Sequence, residues 1–154
     1  MWHRRNMAVA LAVLTLALAA LVGSGCGSSE KPLTRAELTA KANAICKTVA
    51  AKISSKSINS EQQISHVASE LAGFEQTALA NLSKLVPPAE LEADWKKFVS
   101  GAQTLAEDTA KLGEYAKAKN LKAAKALILA SESTQKQMTE IAKRDGLGAC
   151  EKVA

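Results

Sequence analysis

A chain of 154 residues with three cysteines, two histidines and 3% aromatic residues is long enough for one domain with its own core. Its formal charge of +5 becomes +3 without residues 1–25, because Lys+Arg falls from 20 to 18 with Arg4 and Arg5 while Asp+Glu stays at 15. So mild an excess is no nucleic-acid footprint, which needs basic residues clustered on one face.

The N-terminus has three parts. Met1–Asn6 carries His3, Arg4 and Arg5. Met7–Val22 is apolar and broken only by Thr15, and the small residues Gly23, Ser24 and Gly25 then precede Cys26. This is the layout of a secretory signal peptide. The apolar run would be about 24 Å long as a helix, short of the roughly 20 residues that span a bilayer. Small residues followed by cysteine resemble the lipobox of bacterial lipoproteins, in which the cysteine is acylated and the preceding peptide removed. Ser24 and Gly25 fit that pattern. Gly23 stands where the lipobox usually has an aliphatic residue, which leaves an ordinary secreted protein as the alternative. The expected organisation is a signal peptide over 1–25, a lipidated tether over 26–33 and a domain over 34–154. The expected location is the outer face of the bacterial cytoplasmic membrane, reached through lipid on Cys26. Gly27–Pro32 is small and polar, as a tether would be.

The remainder is helical by periodicity, and nowhere do β-branched and aromatic residues alternate with the period of a strand. Helix one opens at Thr34 with Glu37 completing a capping box, carries Leu38, Ala42, Ile45, Val49 and Ile53, and ends near Ser57. Helix two is capped by Ser60 with Gln63 in the box position. It carries Ile64, Val67, Leu71, Phe74, Ala78, Leu82 and Leu85, and stops at Pro87-Pro88. Acidic Glu90, Glu92 and Asp94 open helix three, where the helix dipole favours them. Its stripe is Leu91, Trp95, Phe98, Ala102, Leu105, Thr109, Leu112 and Ala116. Gly113 interrupts it at a cost of roughly 1 kcal/mol. Asn120 caps helix four, which carries Leu121, Ala124, Leu127, Ile128, Ser131, Gln135, Met138, Ile141 and Ala142. Asp145-Gly146-Leu147 is a helix stop. Four amphipathic helices with short connections predict an all-α, antiparallel up-down-up-down four-helix bundle. Its alanine-rich inner faces predict a thin core without a large cavity.

Two cysteines remain for the domain. In an oxidising compartment Cys46 and Cys150 are expected to pair, since the end of helix four returns beside helix one. That bond closes a loop of about 103 residues and is structural, because redox-active pairs are closely spaced. The stretches Leu38–Cys46, Leu85–Leu91 and Gly146–Cys150 resemble small exported helical lipoproteins of actinobacteria. The resemblance implies this fold and location and no activity.

Chemistry is sparse. His66, the only histidine after residue 25, shares a helix face with Glu70, and one imidazole with one carboxylate does not fill a metal site. Adjacent Glu107 and Asp108 point in different directions on a helix. No phosphate loop or nucleophile elbow is present, so no enzyme and no cofactor are expected. Two surfaces stand out. Lys52, Lys56, Lys117, Lys119, Lys122 and Lys125 gather at one pole, either as ordinary helix-end charge or as a contact for an anionic cell-wall polymer or an envelope protein. Phe74, Trp95 and Phe98 are either core or the lining of an apolar groove between helices two and three. The expected function is a noncatalytic interaction or binding module, with a small apolar ligand or lipid carrier as the alternative. Oligomeric state is not legible.

Overall fold

The computed structural model describes residues 31–57 and 60–153, so the expected signal peptide, Cys26 and most of the tether lie outside the described residues. Four helices follow one another, α1 (Arg35–Ser54), α2 (Glu61–Leu82), α3 (Glu92–Lys117) and α4 (Leu121–Asp145). A 3₁₀ turn at Ala89–Leu91 precedes α3, and a second at Cys150–Lys152 follows α4. There is no strand among the described residues, and none of these helices is long and apolar enough to cross a membrane.

Local chemistry sets most of the ends. Thr34 Oγ1 accepts from the Glu37 N–H while Glu37 accepts from the Thr34 N–H, the reciprocal box read from the sequence. These bonds, the backbone one foremost, hold the Glu37 carboxyl below its ordinary pKa. α1 stops at Ser54, three residues before the expected end, because Ser55 Oγ donates to the Lys52 carbonyl at 2.8 Å and closes the last turn. Ser60 does occupy the N-cap of α2, but its side chain makes no capping hydrogen bond, so the predicted box does not form. α2 ends at Leu82, and Pro87-Pro88 lies in the extended link beyond it. Asn120 accepts from the Ala123 N–H at 3.1 Å. Gly146 terminates α4 with φ +77°, a left-handed conformation that costs glycine little. The Leu147 N–H then bonds the Ala142 carbonyl, and the Leu147 side chain packs back into the core.

Contacts between successive helices run in opposite order along the chain. Leu33 donates to the Val86 carbonyl, and Lys56 near the end of α1 meets Glu70 early in α2. A Cβ on Gly113 would lie 3.3 Å from Ala68 Cβ, while the α3 start packs with Leu82 at the α2 end. Arg144 reaches Asp94 at 2.6 Å, and Ser131 donates to Asp108 at 2.7 Å. The helices therefore run up, down, up and down. α2 packs along α3 and α3 along α4, whereas α1 and α4 are joined mainly through the C-terminal segment. The core gathers Leu38, Ala42, Cys46, Leu82, Leu91, Trp95, Phe98, Met138, Ile141, Leu147 and Cys150. Leu33, the last residue of the expected tether, packs against it.

Glycine does more here than interrupt a stripe. A Cβ on Gly101 would sit 2.7 Å from Met138 Cγ and 2.8 Å from Met138 Sδ. Both Gly101 and Gly113 are buried where α3 meets a neighbour, so each admits a close helix approach.

Candidate functional site

Cys46 on α1 and Cys150 in the C-terminal turn form a disulfide with a Cα–Cα distance of 5.0 Å. Both are buried. Asn43 reinforces the link from each side. Its Nδ2 donates to the Gly146 carbonyl at 3.2 Å, and its Oδ1 accepts from the Ala149 N–H at 2.8 Å. The tail is thereby fastened across the seam between α1 and α4, and Val153 is delivered onto the core.

A cavity of about 50 Å³ lies behind that tail, walled by Val49, Leu82, Phe98, Leu105, Met138 and Val153 among others. One wall residue is charged. Glu75 of α2 faces this apolar space, and its Oε2 is buried with no hydrogen-bond partner among the described residues. Loss of solvent pushes the Glu75 carboxyl above its ordinary pKa, and a hydrogen bond from Thr109 opposes only part of that rise. Periodicity did not single out Glu75. The available signal was one acid on the helical line of Leu71, Leu79 and Leu82, but whether that line is covered depends on α1 and the tail.

Glu75, Leu105 and Val153 also line an open cleft of about 230 Å³, which Ile53, Leu112 and Ile128 extend toward solvent. Asp108 at its floor accepts from Ser131 Oγ and pairs with Lys111 at 3.6 Å. Glu107 instead accepts from Gln103 on the surface, so the adjacent acids do diverge. The combination of an aliphatic wall, a hydroxyl and a partly dehydrated carboxyl suits a small apolar molecule carrying a hydrogen-bonding group.

The other expected site residues separate. Trp95 and Phe98 are core residues, stacked with ring centroids 5.7 Å apart. Phe74 lies elsewhere, lining the α1–α2 cleft with Lys52 Nζ 5.0 Å from its ring centroid. Trp95 and Phe98 thus take the core reading, and Phe74 does not join them in the alternative groove, because α2 has two neighbours and Phe74 turns toward α1. The six lysines also divide. Lys52 is held over Phe74 and Lys56 pairs with Glu70, whose carboxyl falls below its ordinary pKa chiefly through that hydrogen bond. Lys117, Lys119, Lys122 and Lys125 are exposed and form no ion pair among the described residues. His66 is exposed, with Nε2 3.8 Å from Glu70. Among the described residues no group of three His, Cys, Asp or Glu could hold a metal ion.

Comparison with protein-family profiles, with curated proteins and with solved structures finds no match.

Proposed function

We propose that this protein is an exported, lipid-anchored, noncatalytic binding module of the cell envelope, of the kind its sequence resembles. The observation that carries the reading is the buried Cys46–Cys150 disulfide, which clamps the C-terminal segment onto α1. Disulfides form and persist chiefly in oxidising compartments, which supports export. The basic, apolar and small-residue order of residues 1–25 before Cys26 supplies the route there and the point of attachment. The noncatalytic reading is supported by the dispersal of the titratable side chains, since His66 lies in the open and Glu107 and Asp108 diverge. Labelled palmitate incorporation tests the anchor. Label is expected on the wild type and not on Cys26→Ala, and equal labelling of both would reject it.

A second reading, a carrier of small apolar ligands, is favoured by Glu75 at the junction of cavity and cleft. Native mass spectrometry of protein from its own membrane fraction distinguishes the two. A reproducible adduct lost on activation, and weakened by Glu75→Leu, would put the carrier first.

A further inference from the structure

We propose that the outward face of α4, with the α3–α4 turn, docks on an anionic lipid surface. At 3.6 residues per turn, Leu121, Lys122, Lys125, Ile128 and Leu129 fall within an arc of about 120°, which Glu132, Lys136, Glu140 and Lys143 continue toward the end of the helix. The opposite arc holds Ser131, Met138, Ile141 and Ala142 and is buried in the bundle. The outward arc leaves Leu121 61%, Leu129 56% and Ile128 52% exposed, an uncommon concentration of large aliphatic side chains on one solvent face. Lysines interleave with them. Between Glu114 and Glu132 the chain carries Lys117, Lys119, Lys122 and Lys125 and no acid.

Charge and apolarity together select the partner. A polymeric anion would satisfy the lysines and leave the leucines in water. A second copy meeting this face about a two-fold axis would bury four ammonium groups, two from each copy, against a face whose first acid is Glu132. A lipid surface accommodates both, with ammonium groups at anionic headgroups and aliphatic side chains at the acyl boundary.

Leu33 lies at the α1 start, the end of the bundle where α4 finishes against Asn43. The docking face begins at the other end of α4.

The test uses residues 31–154, which contain every described helix, the core and the disulfide, and which carry no lipid, so failure of the acylation reading leaves it intact. Folding of each variant is checked by circular dichroism before flotation with vesicles. Binding is expected to phosphatidylglycerol vesicles and at least tenfold less to phosphatidylcholine vesicles or in high salt. Lys122→Gln/Lys125→Gln should weaken binding about 25-fold, at about fivefold per lysine near the surface. Leu121→Ser/Leu129→Ser should weaken it at least tenfold, and the charge-matched control Lys96→Gln/Lys97→Gln should bind as the wild type does. The proposal is overturned by no flotation, by equal loss in the control, by binding to polyglutamate that ignores the leucines, or by a dimer that only the leucine variant dissolves.

Discussion

Removal of the Cys46–Cys150 disulfide should cost this domain a large part of its stability. The two residues are 104 apart in sequence. Freeing a loop of about that length gives the unfolded chain roughly 4.7 kcal/mol of extra entropy at 25 °C. Residues 31–154 should unfold with an entropy of roughly 0.26 kcal/mol/K, so that loss lowers the melting temperature by about 18 °C. Small domains hold only about 5–15 kcal/mol in total, so the reduced chain should stand near the edge of stability at 37 °C. The assay is thermal and urea unfolding of the oxidised protein, the dithiothreitol-reduced protein and Cys46→Ala/Cys150→Ala. The reduced protein keeps both sulfur atoms, which separates loss of the link from the small cavities left by the alanines. Reduced protein and double variant should melt within a few degrees of each other and far below the oxidised protein. Oxidised and reduced midpoints within about 4 °C, equivalent to about 1 kcal/mol, would refute the argument.

Three further outcomes follow from the packing. Glu75→Leu should raise stability at neutral pH by about 1–2 kcal/mol, because it removes a buried, unpaired acceptor. Glu75 has a folded pKa above its unfolded value of 4.5, so the wild type should lose stability as pH rises from 4.5 through the folded value and then level off. Glu75→Leu should lack that slope in pH-dependent urea unfolding, and an unchanged slope would contradict the assignment. Gly101→Ala should lower stability by about 1 kcal/mol, an overpacking cost of about 1–3 kcal/mol less the gain in helix propensity. Its effect should shrink in a Met138→Ala background, and strict additivity in a double-mutant cycle would reject the contact. Asn43→Ala should cost about 1–3 kcal/mol through loss of both links to the tail. Hydrogen exchange at residues 147–152 should quicken, and unchanged protection there would count against it.

What was legible in the sequence is what short-range chemistry decides. Thr34 with Glu37, Asn120, and Gly146 followed by Leu147 each act within about one turn, and each forms as expected. Helix periodicity also identified Leu38, Ala42, Val49, Leu91, Trp95, Phe98, Met138 and Ile141 as buried. The failures share a different cause. One apolar line per helix cannot describe α2, which packs α1 on one side and α3 on the other, so Phe74 parted from Trp95 while Ala68 and Ala72 became buried. Gly113 reads as a propensity loss until Ala68 lies opposite it. Lys56 reads as a free end charge until Glu70 approaches from the next helix. Glu75 becomes unusual only when α1, α3 and the tail remove its water. The exposed aliphatic side chains of α4 are another such case, since periodicity assigned Leu121 and Ile128 to the inner stripe and the bundle leaves them outside.

The measurement closest to the central claim is the intact mass of the protein extracted in mild detergent from its own membrane fraction. The account predicts a chain that begins at Cys26, carries two or three acyl groups, and is lighter by the hydrogens lost in the Cys46–Cys150 bond. An unacylated chain, or one that begins at any other residue, would contradict it.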